Sequence, residues 1–453
     1  MSASVPAVVI AAPASGSGKT TVATGLMGAL RQAGHRVAPF KVGPDYIDPG
    51  YHALAAGRPG RNLDSVLVGS DLIGPLFNHG SRDSDIAVVE GVMGLFDGRI
   101  GDAKGSTAEI AAVLGAPVVL VVDAKGYSHS LAALLHGFAV HAAETGIRIA
   151  GVILNRVGSA RHREILTAAA DRVGLSVLGT LPRTEELSVP SRHLGLVTAT
   201  EHGQAALDAI EAMTQLVAAH VDVSAIVGAA RSGVDGPAWD PVEVVGSPVA
   251  GNPVVALASG HAFTFGYAEH RELLVAAGAV VAEFDPLVDL LPADTAALVI
   301  PGGFPEQFAA ELSANEPLRQ QVRVMNGPIH AECAGLTYLC KNLDGAPMCG
   351  VIDASARFTD RLTLGYREAV AISGSVLFDE GERLSGHEFH RTTVDCPDDS
   401  RNSAWAWSTA DGIRREGIVA GEGGRIHASY LHTHPAAHPR AAARFVARAA
   451  AEA

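Results

Sequence analysis

The sequence predicts an α/β protein of two domains, and three observations carry that expectation. From residue 7 to about 225, short β-branched runs alternate with Ala/Leu-rich helical stretches, the pattern of βαβ units in a parallel sheet flanked by helices. Between about 225 and 250 the chain turns Gly/Pro/Ser-rich and loses its periodicity (Ser232-Gly-Val-Asp-Gly-Pro-Ala-Trp-Asp-Pro241). That stretch reads as a linker, 229–250, between a domain of residues 1–228 and a domain of residues 251–453. A second α/β pattern then starts at Val254-Val-Ala-Leu257 and runs through Ala296-Ala-Leu-Val-Ile300 and Pro328-Ile-His330, becoming richer in strand toward the C-terminus.

The strands expected in the first domain are 7–12, 36–41, 85–90, 117–122, 149–155 and 175–180. Ser106-Thr-Ala-Glu109 opens a helix as a capping box, and the Ala/Arg-rich tail after Ala441 reads as a closing helix. Apolar residues make up 48% of the 453 and charged residues 18%, enough to bury both faces of a sheet. A formal charge of −14 disfavours nucleic acid as a partner, because a phosphate backbone needs a basic face. The four cysteines lack metal-ligand spacing and are too few for a disulfide framework, so reduced thiols are expected. With no basic-then-apolar leader and no apolar run of membrane-spanning length, the expectation is a cytoplasmic chain with no membrane contact. An exposed sheet edge would allow a homodimer.

The apolar run Val8-Val9-Ile10 leads into Ala14-Ser-Gly-Ser-Gly-Lys-Thr-Thr21. A strand, a glycine-rich turn and a helix N-terminus surround a phosphate with backbone N–H groups, so Ser15, Gly16, Ser17, Gly18, Lys19, Thr20 and Thr21 are expected to bind ATP. Lys19 supplies the cation and Thr20 a ligand for Mg2+. Pro13 stands where such loops usually carry Gly or Ala, and Ala14 where partition-type ATPases carry a second lysine. Phosphoryl transfer also needs a carboxylate at a neighbouring strand end, for which Glu90 is the first candidate metal ligand and Asp45 the second. Lys41-Val-Gly-Pro-Asp-Tyr-Ile-Asp48 places Asp45, Tyr46 and Asp48 on one loop, and Gly91-Val-Met-Gly-Leu-Phe-Asp97 brings Asp97 toward the same edge. Asn155, and the pair Pro182-Arg183, are placed either to contact the adenine or to form ordinary turns.

In the second domain, Ala331-Glu-Cys-Ala-Gly335 follows a strand, and its small residues permit the sharp strand-to-helix turn that presents a nucleophile, here Cys333. Pro301-Gly-Gly303 ends another strand, so Gly303 and Ala334 are expected to offer oxyanion-hole N–H groups. Ser429-Tyr-Leu-His-Thr-His434 supplies His432 and His434, either of which suits as base. Cys340, Cys349 and Cys396 have no comparable setting. A phosphate loop and an elbow thiol in one chain point to an enzyme that couples nucleotide hydrolysis to cysteine chemistry.

Together with Leu364-Gly-Tyr-Arg367, Gly386-His-Glu-Phe-His390 and Pro301-Gly-Gly-Phe-Pro-Glu306, these strings resemble the cobyrinate/hydrogenobyrinate a,c-diamide synthases of vitamin B12 biosynthesis. The resemblance covers essentially the whole chain. It implies a P-loop domain similar to dethiobiotin synthetase joined to a class I glutamine amidotransferase-like α/β domain. ATP, glutamine and a corrin polycarboxylate are the implied small molecules. It further implies that Asp45, Tyr46, Asp48 and Asp97 contact the substrate carboxylate and order two amidations. Many amidotransferases of this type carry a Glu two residues after the catalytic His. His434 occupies that place if His432 is the base, which leaves the third member of the triad unassigned. Arg367, His387 and His390 suit either scaffolding or contact with the corrin. The related cobyric acid synthases, and a nucleotide-switched scaffold with an inactive thiol module, are the competing readings.

Overall fold

The computed structural model describes residues 4–183, 203–396 and 402–452. Two compact units divide the chain, Met1–Trp239 and Asp240–Ala453. The stretch expected as a linker includes the short helix Pro241–Val245, capped by the Asp240 carboxylate.

Seven strands build the first sheet: β1 (Ala7–Ala11), β2 (Val37–Val42), β3 (Arg61–Leu63), β4 (Ile86–Glu90), β5 (Val118–Asp123), β6 (Ile149–Val157) and β7 (Val177–Pro182). All pairings are parallel, in the order β3-β2-β4-β1-β5-β6-β7. The six expected strands are all present, each end displaced by two residues or fewer. Arg61–Leu63 was not foreseen, because three residues opening on Arg and Asn show no apolar run. Every residue of β1, β2 and β4 is buried, as helices on both faces require, and these strands read as continuous apolar runs rather than alternating ones. The helix Gln204–His220 packs against the helix Lys19–Gln32, whose Gly25 and Gly28 face Met213 and Thr214. Ser106 caps the helix Thr107–Leu114 through the Glu109 N–H, while the Glu109 carboxylate reaches the Gly105 N–H, one residue short of the reciprocal capping-box bond.

Chain order dictates where chemistry can sit. β1 and β2 are separated by β4, so the loops after β2, β4 and β1 emerge side by side at the C-terminal edge of the sheet, the usual place for ligands in such folds. The register brings Ile10, Glu90 and Lys41 level on three neighbouring strands.

The second unit contains two sheets. One is β18-β19-β11-β10-β8-β9, made of β8 (Val254–Ala258), β9 (Val280–Phe284), β10 (Thr295–Ile300), β11 (Ile329–Glu332), β18 (Ile418–Ala420) and β19 (Ile426–Ser429). It is parallel except for the edge strand β18. The other is built on the long antiparallel pair β14 (Ser355–Ala371) and β15 (Arg383–Asp395). Here too the core strands aim their C-terminal ends together: Ile300 pairs with Ala331, and Glu332 with Ser429. The glycine pair, the thiol and the two histidines foreseen in sequence therefore leave three adjacent strand ends.

Candidate functional site

In the first unit, the loop between β1 and the helix beginning at Lys19 turns through Gly16 and Gly18, both with positive φ (76° and 97°). Gly18 is required twice over: its φ is left-handed, and a Cβ there would stand 2.3 Å from the Asn155 amide nitrogen. Asn155 donates from Nδ2 to the Ser17 carbonyl (2.9 Å), so it braces the loop from the end of β6. Ser17 folds its hydroxyl back to the Ala14 carbonyl (2.8 Å), while Ser15 and Gly16 stand exposed at the rim. Lys19 donates to the Met93 carbonyl at 2.6 Å, the segment 91–97 crossing in front of the loop. Burial, with Lys41 nearby, lowers the Lys19 pKa. Thr21 follows in the first turn of the helix.

Glu90 is the hub of this edge. Its Oε1 accepts from Thr20 Oγ1 at 2.7 Å and lies 3.3 Å from Lys41 Nζ, and its Oε2 lies 2.6 Å from His52 Nε2. Burial would raise this carboxyl, but Lys41, His52 and Thr20 outweigh it and hold the group down at about 2. Lys41 also reaches Asp48 Oδ2 (3.1 Å) and the Gly91 carbonyl (2.9 Å). Burial works against the Lys41 charge, and Glu90, Asp48 and Asp45 overcome it, so the lysine is firmly cationic. Asp48 is the opposite case: burial, then Asp45 and Glu90, push it well above the usual carboxylate range. Asp45 accepts from the Ile47 N–H (2.8 Å), and Asn62 binds the carbonyls of Gly43 and Asp45, which fixes the loop bearing Tyr46. Asp97 is exposed and accepts from the Gly94 N–H (3.0 Å). Lys41 and His52 join this edge without a signal of their own in the sequence. Lys41 lay inside the quoted loop, whereas nothing local marks His52, whose partner is thirty-eight residues away.

In the second unit, Cys333 carries a positive φ of 49° between β11 and the helix Ala334–Leu339, the strained elbow foreseen for a nucleophile. Its thiol approaches the Phe389 carbonyl (3.8 Å) and stands close enough to the His432 imidazole to favour its charged form. Nδ1 of His432 lies 3.3 Å from Glu332 Oε2. Burial would lower this imidazole, but Cys333 and Glu332 raise it to about 10. The backbone of His432 is fixed by a reciprocal pair of N–H···O bonds with His387, both 2.9 Å. His434 is also buried, but it lies over Tyr267 (ring centroids 4.3 Å) and accepts from the Ala436 N–H. The structure thus brings His432, not His434, to the sulfur. Gly303 is buried against the Ala262 carbonyl, and its neighbour Gly302 lies against the His432 ring and bonds the Phe265 N–H through its carbonyl (3.0 Å). Ala334 is the first residue of the helix after the elbow, where N–H groups lack helical partners.

Residues 8–197 match the family of CobQ/CobB/MinD/ParA nucleotide binding domains, and residues 254–439 that of CobB/CobQ-like glutamine amidotransferase domains. The chain is 62% identical to a hydrogenobyrinate a,c-diamide synthase of Mycobacterium tuberculosis over 98% of both chains. It is 55% identical to the enzyme of that name from Streptomyces coelicolor, covering 98% of this chain and 97% of the relative. The chain belongs to the a,c-diamide synthase family. A cobyrinate a,c-diamide synthase from a Synechococcus strain is 40% identical over 94% of this chain and 95% of its own length.

Family strings whose role was open find concrete places. His387 carries the backbone bridge to His432, and Arg367 holds the fully buried Glu388 at 2.6 Å. His390 stacks on Tyr430 with ring centroids 3.8 Å apart. His387 and His390 thus contact the segment 430–432, while Arg367 pairs with the residue between them on β15. Cys340 and Cys349 are buried thiols that burial pushes up to about 12, the state of inert structural cysteines. No helix among the described residues is long and apolar enough to cross a membrane.

Proposed function

We propose that this chain catalyses the ATP-dependent, glutamine-hydrolysing amidation of the a- and c-acetate carboxylates of a corrin, hydrogenobyrinate or cobyrinate. The observation that carries the reading is that one polypeptide holds both an elbow thiol beside a carboxylate-bound imidazole and a phosphate loop ringed by Lys41, Asp48 and Glu90. A carboxylate does not react with ammonia unaided, so amidation needs a phosphoryl donor and a nitrogen donor, and the two sites have the chemistry of each.

In the amidotransferase unit, Cys333 attacks the side-chain amide of glutamine, with His432 taking the thiol proton and later delivering a proton to the departing ammonia. N–H groups at Gly303 and Ala334 would hold the oxyanion, and hydrolysis of the thioester returns glutamate. In the nucleotide unit, the loop Ser15–Thr21 and Lys19 cradle the triphosphate. The oxygen donors Thr20 and Glu90, already in contact, fit Mg2+, with Asp45 on the adjoining loop. When bound there, the ion neutralises phosphate charge. The corrin acetate takes the γ-phosphoryl group, giving an acyl phosphate, and ammonia displaces phosphate to leave a carboxamide. Lys41, held by Asp48 at 3.1 Å, can attract a substrate carboxylate, while Tyr46 and Asp97 border the same edge.

Relatives named for hydrogenobyrinate are more similar than the relative named for cobyrinate, which favours the metal-free corrin. Offering each purified corrin with ATP and glutamine, and resolving products by mass spectrometry, tests this. The diamide should form faster from hydrogenobyrinate, with one glutamate and one ADP released per amide. Formation of no amide from either corrin would overturn the reading.

A further inference from the structure

The catalytic imidazole needs an orienting acid, and the position two residues beyond it holds His434, turned toward Tyr267. A different carboxylate meets His432. Glu332 precedes the nucleophile in the chain, and the left-handed turn at Cys333 lets consecutive side chains converge on one ring. With Glu332 accepting from Nδ1–H at 3.3 Å, the ring nitrogen left for the thiol is Nε2. The other Glu332 oxygen is held by the Thr433 N–H and hydroxyl (both 3.4 Å) and by His330 Nε2 (3.4 Å). His330 and Glu332 are two apart on β11, so their side chains share a face. Behind them lies a cavity of about 40 Å3 lined by His270, His330, Glu332, Thr433 and His438, room for water but not for glutamine. Both Glu332 oxygens are thus engaged by His432, Thr433 and His330.

We propose that Glu332 is the positioning acid of the amidotransferase triad, fixing the tautomer and orientation of His432, and that His330 in turn holds Glu332. The proposal rests on the amidotransferase reading above. It makes two of the three groups immediate neighbours in sequence. The ionisable groups facing Glu332 are His330 on its own strand, His270 from the helix Ala268–Ala276, His427 from β19, and His432 beyond it. Those facing His432 are Cys333, Glu332 and His387. Burial opposes charge on Glu332, yet His330 and His432 keep it well below the usual carboxylate range.

Glu332→Gln keeps the shape but offers Nδ1 an amide, and removal of the acid from a comparable triad costs about 10^4 in kcat. Measured in the full chain, E332Q should lose glutaminase kcat by about a thousandfold with KM for glutamine nearly unchanged. Ammonia-dependent corrin amidation should stay at the parent value. The pH at which Cys333 becomes reactive toward iodoacetamide should rise. Glu332→Asp should recover at least roughly a tenth of the lost rate, and His330→Gln should cost about tenfold to a hundredfold. A folded E332Q within about threefold of parent kcat, or an unmoved alkylation profile, overturns the proposal. So does equal loss in folded E332D and E332Q. Should E332Q not fold, E332D and H330Q decide: parent-like kcat and alkylation profiles in both overturn it. If Cys333→Ser still hydrolyses glutamine, the amidotransferase reading fails instead.

Discussion

At the scale of single residues, function depends on charges placed where water cannot soften them. Lys41 serves Glu90, Asp48 and Asp45 together, and its side chain is only 5% exposed. Lys41→Met would leave buried carboxylates without their cation, a change that costs about 3–5 kcal/mol when one partner of a buried pair is lost. A lower melting temperature for the nucleotide unit and loss of amidation from both nitrogen sources are the expected outcomes, checked by calorimetry and by ammonia-dependent assay. Cys333→Ala should abolish glutamine-dependent amidation and leave the ammonia-dependent rate intact. Loss of both rates would show that the two chemistries share a site. The contacts of Lys41, His52 and Glu332 were not legible in the sequence, because each has a partner distant along the chain. The turns that bear Cys333 and Lys19 were legible, since an elbow and a phosphate loop are local shapes that demand small residues at fixed offsets.

At the scale of elements, strand ends and the turns after them carry the chemistry. Gly335 lies where a Cβ would stand 2.2 Å from the Ile300 carbonyl, which lets the helix after the elbow close on β10. Gly335→Ala should therefore displace Cys333, reducing glutaminase activity by at least about tenfold while the ammonia-dependent rate persists; parent-like glutaminase kinetics would contradict this. Glu416, at the end of the strand β17 (Gly412–Glu416), accepts from Ser429 Oγ (2.6 Å) and the Tyr430 N–H (2.7 Å), anchoring the segment that leads to His432. Burial raises its pKa to about 7 despite those two donors. The folded protein thus holds this proton more tightly than the unfolded chain does. Its contribution is fully present below the ordinary carboxyl pKa and is lost as pH rises through about 7, a change on the order of 3 kcal/mol. Glu416→Gln should flatten the fall in melting temperature between pH 5 and pH 8 for the amidotransferase unit; an unaltered pH profile would exclude Glu416 as its source.

At the scale of the whole molecule, the two units divide the labour. Lys19→Ala should stop amidation from glutamine and from ammonia alike while glutaminase activity survives, whereas the Cys333 variant spares one route; parallel assays on both variants check the division. Most of the architecture was readable beforehand, because buried parallel strands such as Val118–Asp123 are unbroken apolar runs set between helical stretches. Arg61–Leu63 escaped because a short edge strand buries too little to leave a pattern. The two histidines look alike in sequence because both stand on one segment after a strand, and only the packing around each ring, Glu332 at His432 and Tyr267 at His434, tells them apart. The backbone bridge between His387 and His432 has a mechanical corollary. The imidazole rides on a short span clasped by a neighbouring hairpin, while the carboxylate ends the strand β11 and the sulfur follows it in the turn. A change in the hairpin that shifts residue 432 would therefore carry the ring away from both companions together.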